Sequence, residues 1–136
     1  MILTDELCDK LCAAAQEKSK ELGVEISFAI SDASGLPKLY RRFGEALVLS
    51  ITLVPGKAYT AAVTQCKTKD VAACAAEGGS LMAIQSNDPR ITLVAGGYPL
   101  FVDGKIAGAI GVGGGTEEQD CTIAEYVFDV FERLTK

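Results

Sequence analysis

Apolar and polar positions alternate cleanly over residues 24–31. Val24, Ile26, Phe28 and Ile30 share one parity, and Glu25, Ser27, Ala29 and Ser31 share the other. That period of two predicts a half-buried strand. Before it the period lengthens to that of a helix, with Leu7, Leu11, Ala14, Ala15 and Leu22 forming one stripe. Thr4 is placed to cap that helix, Asp5 and Glu6 suit its first turn, and Gly23 suits its end. After the strand, Asp32-Ala33-Ser34-Gly35 reads as a turn, and residues 37–43 read as the hairpin partner. Residues 47–53 fit either a strand or the start of a helix, and Pro55 is expected only within a first helical turn. Residues 57–66 are mostly good or small helix formers. Thr68-Lys69-Asp70 reads as a cap leading into residues 71–76, and residues 80–85 as one more short turn of helix. Asn87-Asp88-Pro89 is a turn, and residues 91–95 are predicted as a strand.

The chain is organised around its next stretch, residues 96–120, which holds Gly96, Gly97, Gly104, Gly108, Gly111, Gly113, Gly114 and Gly115. Residues 98–102 and 105–112 are predicted strands, joined at Asp103-Gly104 by a type I′ turn. On the second strand one parity is Ala107, Ala109 and Gly111, nearly devoid of side chains. A face that bare admits the close approach of another backbone, whether a helix, a ligand or a second subunit. Gly113-Gly114-Gly115 ends the strand. Thr116 and Gln119 then form a capping box for a helix running to about Leu134, with Ala124, Val127, Phe128, Phe131 and Leu134 on one stripe.

This glycine-rich stretch, from Gly96-Gly97-Tyr98-Pro99-Leu100 to Glu118-Gln119-Asp120, resembles the signature of the GlcG/HbpS-like family, which includes the C-terminal domain of PduO-type proteins. A second block, Gly56-Lys57-Ala58-Tyr59-Thr60-Ala61-Ala62, resembles the same family's central helix and favours a helix there. The resemblance covers the whole chain as a single domain, residues 1–136. It implies an α/β (α+β), profilin-like fold: a five-stranded antiparallel sheet flanked by helices. It also implies association with haem or another tetrapyrrole, assembly into a homo-oligomer, and a setting beside glycolate or diol metabolism.

Composition narrows the function. With a formal charge of −5 and no basic run longer than Arg41-Arg42, the chain lacks the dense basic face that nucleic acid requires. Its longest apolar-rich run, residues 91–102, contains two glycines and a proline and is too short to span a bilayer. No charged-then-apolar signal opens the chain, so a cytoplasmic protein is expected. The 5 cysteines form no CxxC pair and are read as structural, small buried hydrophobes.

Histidine is absent, which removes the central member of the common metal sites and of the serine triad. No metal site is expected. The cofactor is left open: the resemblance implies haem, whose axial ligand here would have to be Cys, Met, Tyr or Lys. The candidate ligand-binding residues are Lys57, Tyr59, Gly96, Gly97, Gly113, Gly114, Gly115 and Asp120. In this reading Lys57 sits at the edge of one cleft and binds a carboxylate or propionate, with Tyr59 as a hydrogen-bond donor. The Gly113–Gly115 loop offers amides at a helix N-terminus, although Glu117, Glu118 and Asp120 oppose a phosphate there. Arg41, Arg42 and Arg90 are further sources of positive charge. Three functions follow: an oligomeric protein binding a small anionic molecule or cofactor; an enzyme acting on a small organic acid through Lys57, Tyr59 and Asp120; or a structural assembly module.

Overall fold

The computed structural model describes residues 2–136. Helix α1 (Asp5–Leu22) leads into a hairpin of β1 (Ser27–Asp32) and β2 (Pro37–Arg42). Helices α2 (Ser50–Thr64), α3 (Thr68–Ala75) and α4 (Ile84–Asn87) follow. The chain closes with β3 (Gly97–Val102), β4 (Lys105–Gly113) and α5 (Glu117–Leu134). The strands form one antiparallel sheet in the order β2-β1-β4-β3. Helices α1 and α5 cover one face of this α+β domain. Their core joins Leu11, Ile123, Val127 and Phe131 to Phe28, Ile30, Leu100 and Ile110. Helix α2 covers the opposite face.

Several local expectations hold. The Thr4 hydroxyl accepts from Leu7 N, and Gly23 ends α1 with φ of 70°. Both residues of the Asp103-Gly104 turn have positive φ, 52° and 77°, as a type I′ turn requires. The capping box of α5 is complete: Gln119 N donates to Thr116 Oγ1, and Thr116 N donates to Gln119 Oε1.

The sheet has four strands, not five. The predicted strand at residues 91–95 is an irregular segment whose backbone groups find other partners. Thr92 N donates to the Thr60 hydroxyl, Ile91 N to Asp88 O, and Ile91 O accepts from the Gln85 amide. The first predicted strand starts later, at Ser27, because Val24 N is held by Ser19 O in the cap of α1. It is also buried on both faces rather than one. Its Ser27, Ala29 and Ser31 parity lies opposite Gly113, Gly111 and Ala109, and this small-residue floor lets α2 lie almost on the sheet. A Cβ at Gly111 would come within 2.9 Å of Ala58 N, and the Ser31 hydroxyl donates to Ala58 O.

Two further readings are corrected. Pro55 lies inside α2, beyond its first turn. Its missing N–H removes the helical hydrogen bond to the carbonyl of Ile51, a residue that is 54% exposed. Thr68 does not cap α3: the cap position is Lys67, and the Thr68 hydroxyl instead accepts from Gly97 N across the core.

Candidate functional site

Lys57 is the one long side chain that α2 directs at the glycines, and it is buried, 1% exposed. The glycines make room for it. A Cβ at Gly96 would lie 3.0 Å from Lys57 Nζ, at Gly113 3.3 Å from the same atom, and at Gly97 2.5 Å from Lys57 O. Lys57 Nζ donates to Val112 O at 2.8 Å and pairs with Asp120 Oδ2 at 3.4 Å. Asp120 Oδ1 in turn accepts from Gly115 N at 3.0 Å. The anion position at the α5 N-terminus is therefore filled by the helix's own carboxylate. Burial lowers the Lys57 pKa, opposed by the charge of Asp120. Burial likewise raises the Asp120 pKa, opposed by Lys57 and by the Gly115 amide. A cavity of about 150 Å³ adjoins the pair, walled by Ser50, Leu53, Glu117 and the Gly113–Gly115 loop.

Tyr59 belongs to a different place. It points from α2 into a trough of about 510 Å³ between that helix and the β1–β2 hairpin, lined by Ile30, Leu39, Pro55, Tyr59, Arg90 and Thr92 among others. The Tyr59 hydroxyl donates to Asp88 Oδ2, which raises the phenol's pKa and lowers that of Asp88. The Arg90 guanidinium lies 4.2 Å from the Tyr59 ring centroid, and its Nε pairs with Asp88 Oδ1 at 3.3 Å. With its side chain 71% exposed, Arg90 stands at the trough's rim.

The single cleft expected from the sequence thus resolves into two sites. Lys57, Asp120 and Gly113–Gly115 line the smaller, with Gly96 and Gly97 packed behind the lysine; Tyr59 and Arg90 line the larger. The sequence reading set Lys57 at the edge of a cleft, whereas the structure buries it. The signal for burial was present, because a lysine amid small helix residues meets a glycine-rich strand that needs something to fill it. The trough had no such signal, since it is assembled from three distant segments. Arg41 and Arg42 are exposed, and neither lines the Lys57 cavity or the trough.

Residues 3–129 match the family described as haem degrading protein HbpS-like. The chain belongs to the HbpS-like family. It is 36% identical over 126 residues to a 15.0 kDa protein of the dhaT-dhaS intergenic region of Citrobacter freundii, covering 92% of this chain and 89% of that one. It is 30% identical over 112 residues to protein GlcG of Escherichia coli (strain K12), covering 82% and 81%. Among solved structures, protein ORFY of Klebsiella pneumoniae superposes with a TM-score of 0.91 at 31% identity, covering 96% of this chain and 90% of that one. The PduOC:haem complex superposes with a TM-score of 0.89 at 31% identity, covering 93% of each.

The donor set can be tested against haem directly. The chain has no histidine, and none of its cysteines lines the trough. Tyr40 and Tyr59 do line it, but the first donates to Ser27 Oγ and the second to Asp88. Iron takes tyrosine as the phenolate, and the hydrogen bond to Asp88 disfavours that form of Tyr59. The described residues hold no His/Cys/Asp/Glu group suited to a metal. The trough's lining supplies no side chain suited to ligating haem iron.

Proposed function

We propose that this HbpS-like protein binds a flat, apolar, carboxylate-bearing molecule of the tetrapyrrole class without ligating a metal. The observation that carries the reading is the trough. Its 510 Å³ fall within the range of small-molecule pockets, its walls are mainly apolar, and one arginine stands at its rim. The ring packs on Pro37, Tyr40 and Pro55, and Arg90 receives a carboxylate. Likeness to the PduOC:haem complex supports the ligand class. The Lys57 cavity is the poorer place for an anion, since its ammonium is buried against Asp120 with Glu117 on the same wall, whereas Arg90, though paired with Asp88, is 71% exposed.

The protein works as a homo-oligomer in the cytoplasm. Leu47, Val48, Leu49 and Ile51 are consecutive or nearly so and 54–71% exposed, with Val94 at 41%. So much exposed apolar surface in one run suits contact with a second copy.

Titration with metal-free protoporphyrin, followed by Tyr quenching and ligand absorbance, tests the reading. Arg90→Ala should weaken binding by about tenfold, the loss of one charge-assisted hydrogen bond. Unchanged affinity would remove the trough from consideration.

A further inference from the structure

The Lys57 cavity is separate from the trough, and the ligand assigned above leaves it unused. Its chemistry is unusual. An amine and a carboxyl, both buried, stand 3.4 Å apart on the wall of a cavity the size of a benzene site, about 150 Å³. The walls beyond them are Leu47, Leu49, Leu53 and Val94, with the Ser50 hydroxyl among them. Glu117 on the same wall turns away anions, so a neutral occupant of about six heavy atoms or fewer is favoured.

We propose that Lys57 captures a small neutral aldehyde or ketone as a reversible iminium, with Asp120 as its proton partner. The Lys57 ammonium passes a proton to Asp120 Oδ2, and the freed amine attacks the carbonyl carbon, forming the C–N bond. The carbonyl oxygen takes the proton from Asp120, and the new C–N nitrogen returns one of its own to the carboxylate, giving a neutral carbinolamine. Asp120 then protonates the hydroxyl, the C–O bond breaks, and water leaves as the nitrogen pair closes the C=N bond. Ketone or aldehyde plus ammonium becomes iminium plus water, with charge conserved and the iminium resting against the Asp120 carboxylate.

The groups around Lys57 agree with this. The charges that bear on it, Asp120 and Glu117 with the Cys121 thiol, all come from α5. Burial outweighs them and favours the neutral amine, the form that attacks. Val112 O accepts one N–H and fixes the nitrogen's orientation. Leu47 and Leu49 form the lip and belong to the surface assigned to self-contact, so assembly shields the chamber from bulk water and admits only small molecules.

Incubating the whole protein with propanal or acetone and cyanoborohydride at pH 6.5, followed by peptide mapping, tests the proposal. Lys57 should be alkylated at least about tenfold faster than the exposed Lys10 and Lys105. The preference should vanish in urea, and Asp120→Asn should slow Lys57 labelling while leaving Lys10 unchanged. Labelling spread evenly over the lysines of the folded protein would overturn the proposal. So would labelling of Lys57 that is indifferent to Asp120→Asn. Neither result bears on porphyrin binding in the trough.

Discussion

Removing the Lys57 ammonium tests the structure at its most constrained point. In Lys57→Met the side-chain length is kept and the charge is lost. Asp120, its side chain 6% exposed, then keeps only the Gly115 amide as a partner. Breaking a buried pair by deleting one member costs about 3–5 kcal/mol, because the other charge is left without compensation. That is a large share of the roughly 5–15 kcal/mol that holds a domain of this size together. In urea, at about 2 kcal/mol per molar, the midpoint should fall by about 2 M. The chain has no tryptophan, so far-UV circular dichroism is the natural probe.

Lys57→Met with Asp120→Asn removes both charges and keeps an acceptor for Gly115 N. It should recover about 2–3 kcal/mol of the loss as coupling between the two sites. The pH dependence has a definite sign. Asp120 already has a raised pKa in the folded protein, and in Lys57→Met it loses the ammonium that opposed the rise. The folded state then binds the proton more readily than the unfolded chain, so the variant gains stability as pH falls from neutral into the carboxylate range. In the wild type the lowered Lys57 acts at the other end, and stability rises as pH climbs toward the ordinary lysine value of 10.5. A single variant within 1 kcal/mol of wild type, or a double variant less stable than the single, would refute the buried pair.

Three other outcomes are expected. Gly111→Ala should destabilise by about 3 kcal/mol in the same assay, because the new methyl meets backbone atoms of α2 that cannot move singly; a loss under 1 kcal/mol would mean α2 rides higher on the sheet. Thr116→Ala should cost about 1 kcal/mol by removing the acceptor for Gln119 N; an unchanged thermal midpoint would contradict the cap. Val48→Glu should shift sedimentation toward a smaller species at tens of micromolar, since Val48 is 71% exposed within the apolar run; an unaltered mass would place self-contact elsewhere.

What was legible in the sequence follows from how local each cause is. The caps at Thr4 and Thr116 and the Asp103-Gly104 turn depend on residues within one turn of each other, and all stand as read. The bare Ala109–Gly111 face announced a close approach, and α2 makes it. Residues 91–95 misled because an apolar run records burial and not backbone pairing. Ile91 and Ala95 are buried, yet Thr60 and Gln85 on the helical segments satisfy the chain there. At the sites, the glycines and Lys57 were visible as a set, but the union of Lys57 with Asp120 spans 63 residues and has no local trace. Tyr59 sits two residues from Lys57 in sequence. The helix turns it to the other side, toward Asp88 and Arg90, so adjacency in the motif did not become adjacency in space.

The central claim is that the trough holds the ring and its carboxylates and leaves the metal unligated. Parallel titrations with haemin and with metal-free protoporphyrin test it most directly. The account predicts affinities within about threefold of each other, both weakened by Arg90→Ala, and a haemin spectrum without a six-coordinate Soret band. A six-coordinate spectrum, with haemin bound tenfold or more tightly than protoporphyrin, would contradict it.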